Sequence, residues 1–113
     1  MAHGSVDEFL REYLRRMYAR PVGPGNARYC WAAQWWKHPE AAARLGALWR
    51  AWEHLRQDPT VGASVWWAQH ADHHMTVLLS PDGPFGRSKD SNEPGEPLPY
   101  EEPSAGWFPD MRR

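Results

Sequence analysis

The residues best suited to chemistry lie in SVWWAQHADHHMTVLL, Ser64 to Leu79, where His70, Asp72, His73 and His74 follow the pair Trp66 and Trp67. Imidazole nitrogens and a carboxylate at close spacing are the donor types that hold zinc and similar divalent ions. The backbone decides whether they converge. On a strand His70, Asp72 and His74 point one way. On a helix His70 and His74 share a face at i, i+4, and Asp72 stands about 200° round from His70. Ala68, Ala71, Met75, Leu78 and Leu79 keep a helical period. The stretch therefore reads as a helix from about Ser64 to Leu79, kinked near Asp72, with TVLL as a short strand the alternative. Such a helix offers two metal ligands, and a third has to come from His38 or Glu40. The competing reading is structural, with Asp72 as an N-cap and the histidines as hydrogen-bonded neighbours of aromatic rings. The balance favours structure, so no metal and no cofactor is assigned.

Other chemistries find less support. There is no glycine-rich phosphate loop. Neither Ser64 nor Ser80 sits in a nucleophile elbow. Cys30, between Tyr29 and Trp31, is placed for burial rather than activation. As the single cysteine it allows no disulfide within the chain. Arg28, Lys37, Arg44, Arg50 and Arg56 alternate with tryptophans and suggest a nucleic-acid surface, but Glu40 and Glu53 interrupt them. The formal net charge of -1 is far from a nucleic-acid-scale field. No apolar run of about 18 residues and no signal core is present. The expectation is a cytoplasmic, non-enzymatic protein without a membrane span.

Four elements must position these groups. SVDE, Ser5 to Glu8, is a capping box. Val6, Phe9, Leu10, Tyr13, Leu14, Met17 and Tyr18 then form an apolar stripe, so a helix is expected over residues 6–20, stopped by PVGPG. Trp31 and Trp35, four apart, suggest a short helix from about Ala27 to Trp36. Pro39 suits a first helical turn, and Leu45, Leu48, Trp49, Trp52 and Leu55 line one face of a helix over 39–57. SPDG, Ser80 to Gly83, has the order of a type I turn.

Seven of the 11 prolines lie from Pro81 onward, in a segment of net charge -3. Its composition reads as an extended tail over residues 86–113, mostly disordered, with GWF near its end free to dock. The expected fold is thus all-α. Residues 1–85 form a small Trp-rich bundle of three to four helices, divided into helix 6–20 and a core over 27–85.

Eight tryptophans can supply much of so small a core. Neighbours on a helix point about 100° apart, so one ring of each pair, Trp35–Trp36 and Trp66–Trp67, must approach the surface unless the helix is buried on two sides. Exposed Trp is a good anchor for a protein or a nucleic-acid base. The candidate binding set is Trp35, Trp36, His38, Trp66, Trp67, His70, Asp72 and His74. The stripe of helix 6–20 must find cover on the bundle, a second copy or a partner.

The run from Tyr29 to Phe85 carries a Trp pair, His-Pro-Glu, a Leu/Trp-rich helix, a second Trp pair, His-x-Asp-x-His and Asp-Gly-Pro-Phe in order. It resembles an uncharacterised actinobacterial family, domain of unknown function 4913. The resemblance implies no activity. It implies an accessory role on a mobile genetic element such as a plasmid, phage or conjugative element. Many relatives carry a Cys soon after Gly-Pro-Phe, where this chain has Arg87. The expected function is a small interaction protein with a protein partner or self-association. A nucleic-acid-binding accessory and a divalent-metal site around His70 and His74 are the alternatives.

Overall fold

In the computed structural model, which describes residues 1–25 and 28–112, three helices carry the fold and the described residues contain no strand. Helix α1 starts as Val6–Phe9, loosens to π-helix over Leu10–Leu14 and closes with Arg15–Met17. Its capping box forms as expected. Ser5 Oγ accepts from the Glu8 amide at 3.1 Å, while Glu8 reaches back to the Gly4 amide at 3.4 Å. Helix α2 spans Pro39–Leu55, with Pro39 in its first turn. Helix α3 runs as Gly62–Val65, a π segment Trp66–Ala71, and Asp72–Leu79. The break near Asp72 is therefore a π segment rather than a cap. TVLL is helical, and the SPDG turn closes with Gly83 N–H donating to the Ser80 carbonyl at 2.9 Å.

The α2–α3 connection is tight enough to need glycine. A Cβ on Gly62 would stand 1.8 Å from the Leu55 carbonyl oxygen. This closeness brings the Trp49/Trp52 end of α2 against the start of α3, where Trp66 is fully buried.

The stripe of α1 is covered within the chain. Val6, Phe9, Leu10, Leu14 and Tyr18 are all buried in one core with Leu45, Leu48, Trp49, Trp66, Met75 and Leu78. Of the expected stripe, Met17 stays exposed. In each tryptophan pair the first ring is buried and the second lies nearer the surface. Trp35 and Trp66 are fully buried, while Trp36 and Trp67 are half-buried.

Two expectations are corrected. The helix over 27–36 does not form among the described residues, its start at Ala27 lying outside them; only Trp35–Lys37 makes a 3-10 turn. The backbone groups of this segment find partners elsewhere. Cys30 N–H donates to Leu79, Ala33 N–H to the Asp90 carboxylate, and the Trp31 and Ala33 carbonyls accept from Ser88 Oγ and the Glu101 amide.

The second correction follows from those partners. The segment beyond Gly86 has no helix, as expected, but it packs against the fold as a strap. Leu98 is fully buried, its amide donates to the Arg15 carbonyl at 3.0 Å, and its carbonyl accepts from Arg15 Nε at 2.9 Å. Asn92 bridges the strap to the Arg20 carbonyl and the Val22 amide. Asp7, a buried carboxylate, is satisfied by Arg11 at 3.0 Å and by the Tyr100 hydroxyl. Burial and that bond push the Tyr100 hydroxyl up to about 12. Proline content suppresses helix without preventing docking, because the strap needs only a few apolar anchors and backbone bonds.

If the strap is part of the fold, Leu98→Ala will lower stability by about 2–4 kcal/mol in urea unfolding. The amides of Leu98 and Glu101 will exchange slowly in the native protein. Random-coil exchange at both, with a loss below about 0.5 kcal/mol, would restore the disordered tail.

Candidate functional site

The helical geometry of α3 sends its polar residues to two sides. Asp72 turns toward α1 and accepts from the Tyr18 hydroxyl at 2.7 Å. Burial first, and then this bond to a carboxylate, hold the Tyr18 hydroxyl well above its ordinary pKa. His74 turns toward α2, where Arg44 Nη1 donates to its Nδ1 at 3.0 Å. Arg44 is itself fixed by Glu40 at 2.9 Å, one helical turn away. His73 and His74 meet edge to face, with centroids 5.3 Å apart. Burial, helped by the charges of Arg44, His73 and His70, depresses the His74 pKa.

His38 joins neither group. Its ring meets the edge of Phe85 at 5.0 Å, and it lines a polar cavity of about 450 Å³ with Gln34, Lys89, Asp90 and Glu101. The metal alternative needed His38 or Glu40 to join His70 and His74, and among the described residues their ligand atoms do not converge as a group of three. Among the described residues, the group of three that brings its ligand atoms within 4.8 Å of one another is His3, Glu8 and Glu12. The spacing of Glu8 and Glu12 at i, i+4 was a visible signal for it. Nothing in the sequence tied His3 to that face.

A cleft lies on the Asp72 side. It encloses about 420 Å³ between the end of α1, the last turns of α3 and the chain around Tyr29. Two cation–ring pairs frame it. The Arg20 guanidinium lies 5.3 Å from the Tyr18 ring centroid, and that of Arg28 lies 5.3 Å from Tyr29. Met75 and Leu79 give an apolar floor, and Thr76 and Ser80 a polar edge. Trp67 backs Tyr18 at 5.5 Å, so the second ring of the Trp66–Trp67 pair supports the cleft. Of the expected binding residues, only Asp72 lines it. Tyr18, Arg20 and Tyr29 were missed because they belong to the end of α1 and the connection beyond it, and their convergence on α3 is tertiary. Of Arg28, Lys37, Arg44, Arg50 and Arg56, Arg28 alone lines this cleft. Lys37 lies over Trp36 and Arg50 over Trp49, while Arg44 and Arg56 pair with acids on their own helix.

The His74 pair supplies a pH test. A histidine whose pKa is lower folded than unfolded opposes folding when protonated. Its penalty is absent above about pH 6.5 and grows as pH falls toward the folded value. Urea unfolding at pH 7.5 and pH 5 will show a smaller acid-induced loss of stability in His74→Gln than in the wild type. An equal loss in both would mean that His74 titrates as a solvated side chain.

Comparison with known proteins finds the family that the sequence resembles. The family model described as Domain of unknown function (DUF4913) matches residues 3–104. The match reaches beyond residues 29–85 to take in α1 and most of the strap, the parts that pack on the Trp-rich core. No curated protein and no solved structure matches.

Proposed function

The chain belongs to the DUF4913 family, and we propose that it is a non-catalytic interaction module that docks an acidic segment of a protein partner in the Tyr18–Tyr29 cleft. The observation that carries this reading is the pair of guanidinium groups set over tyrosine rings at the rim of an apolar-floored cleft. Arginine and tyrosine together are the side chains most enriched where partners bind. The Arg20 guanidinium, lying over the Tyr18 ring, keeps its edge N–H groups for a carboxylate in the forked geometry that arginine favours. Among the described residues Arg20 makes no salt bridge, whereas Arg11, Arg44, Arg56 and Arg112 each hold an acid. No described helix is long and apolar enough to cross a membrane. The family resemblance supplies the setting, an accessory of an actinobacterial mobile element.

A second reading rests on the same rings. Arg–Tyr platforms also stack nucleic-acid bases, so the cleft suits a single strand as well as a peptide. Asp72 within the cleft and the chain's formal net charge of -1 favour the peptide.

The test compares partners captured from the native host by the wild type, Arg20→Glu and Arg50→Glu. Arg50 lies over Trp49, away from the cleft. A partner retained by Arg50→Glu and lost by Arg20→Glu, with both variants folded by circular dichroism, fits the proposal. A partner kept by Arg20→Glu removes it. Fluorescence anisotropy with a labelled DNA single strand separates the second reading. Binding that falls steeply between 50 and 200 mM salt and is abolished by Arg20→Glu would move the cleft to nucleic acid.

A further inference from the structure

The ends of the described chain converge on the first turns of α1. Glu53, on α2, clamps the N-terminal residues, accepting from the Ala2 and His3 amides at 2.8 and 2.9 Å. Trp49 Nε1 donates to the His3 carbonyl at 3.2 Å. Burial works against the Glu53 charge, but the two amides and Arg56 prevail and hold its carboxyl below the ordinary value. The strap arrives on the same spot. The Met111 amide donates to the Gly4 carbonyl at 2.7 Å, and Arg112 reaches the Ala2 carbonyl and Glu8 Oε1.

This clamp fixes the His3 ring on α1. The ring lies 5.6 Å from Phe9 and 6.3 Å from Tyr13, centroid to centroid. Its Nδ1 is buried and has no hydrogen-bond partner. The nearest acceptor, Glu8 Oε2, stands 3.5 Å away, at the outer limit for a hydrogen bond. The Glu12 carboxylate follows one turn later on the same face, and donor atoms of His3, Glu8 and Glu12 lie within 4.8 Å of one another.

We propose that His3, Glu8 and Glu12 form a site for a divalent transition cation of the Zn²⁺ type. One imidazole and two carboxylates suit such an ion. Mg²⁺ and Ca²⁺ ask for more oxygen ligands than these side chains supply. Donors set tetrahedrally around one ion at about 2.0–2.2 Å lie roughly 3.3–3.6 Å apart, so pairs near the 4.8 Å limit must close by about an ångström. Glu12 can provide that movement, because its side chain is 55% exposed, against 15% for His3 and 16% for Glu8. Water completes the coordination. Arg112 on Glu8 Oε1 and Arg11, 3.7 Å from Glu12, offset the carboxylate charge and favour moderate rather than tight binding. The ion would tie the N-terminal residues to α1 beside the point where Arg112 ties down the strap. This site is independent of the Tyr18–Tyr29 cleft and of the reading given to it.

The experiment uses the full chain without a histidine tag and ZnCl₂ alone. Calorimetric titration will show one equivalent bound and a raised melting temperature. In ¹H–¹⁵N spectra of the imidazoles, His3 will shift and His70, His73 and His74 will not. Glu12→Gln, at an exposed position that leaves folding intact, will weaken binding by about tenfold or more. His70→Gln with His74→Gln will leave it unchanged. The absence of saturable one-equivalent binding would overturn the proposal. So would binding that survives Glu12→Gln but is lost in the His70/His74 double variant.

Discussion

The fold hangs on the ring of Trp66. It is fully buried, and its Nε1 donates to the Leu48 carbonyl at 3.0 Å, tying α3 to α2 through a bond that no water competes for. Around it stand Phe9 and Tyr13 from α1, both 6.1 Å away, and Trp52 from α2 at 5.2 Å, mostly edge to face. Tyr13 in turn stacks on Trp52 at 4.7 Å. Each helix thus contributes rings to one cluster. In a chain of 113 residues such rings replace the many aliphatic side chains that a larger core would use. Three other indoles are less well served. The Nε1 atoms of Trp31, Trp35 and Trp52 are buried with no hydrogen-bond partner among the described residues, which costs roughly 1–3 kcal/mol for each. The cluster therefore works by area and ring contact, with one indole donor spent on holding two helices in register.

The π segments of α1 and α3 follow from that cluster. In α3 the buried positions step from Gly62 to Trp66, then by five to Ala71, then to Met75 and Leu78. A regular helix turns about 100° per residue, so a step of five would carry Ala71 far off the core face. Bonding from i to i+5 over Trp66–Ala71 widens the turn and returns the face to the core. Buried positions of α1 advance by four, through Val6, Leu10, Leu14 and Tyr18, and drift in the same sense. The loosened turn at Leu10–Leu14 corrects it. Tyr18 then meets Asp72 and Trp67, so the widened turns also set the wall of the cleft.

How much of this was legible depends on how local the determinants are. The capping box at Ser5, Pro39 opening α2, the SPDG turn and the separation of Asp72 from His70 and His74 rest on neighbours in sequence, and each can be read from residue types and spacing. The 27–36 helix was misjudged because Trp31 and Trp35 sit at helical spacing while the backbone bonds of Cys30, Trp31 and Ala33 go to the strap and α3. Spacing cannot reveal a partner that lies some 57 residues away. The strap was misjudged for the complementary reason. It docks through Leu98, Tyr100, Asn92 and Phe108, with no period for a pattern to expose, and its proline content mimics disorder. The cleft was invisible because Tyr18, Arg20 and Tyr29 acquire a common purpose only once α1 and α3 are packed.

The distribution of charge separates architecture from function. On α1, Asp7 is spent on Arg11 and Tyr100, and Arg15 on the Leu98 carbonyl, so these side chains bind the strap to the helix. Arg112 closes the same seam on Glu8. Glu53 is committed to the N-terminal amides, and Arg44 to Glu40 and His74. Each of these groups lies between two segments of the chain and fixes their relation. Arg20 is different. It lies over Tyr18 at the edge of a cleft and fixes no second element through a salt bridge. A side chain of high conformational entropy that is ordered on a ring, yet joins nothing to the fold, does little for stability. Its placement makes sense as preparation for an external anion, since ordering it in advance lowers the entropy lost on binding. That placement, more than the histidine-rich stretch, is why we propose the Asp72 side of α3 as the face turned toward a partner.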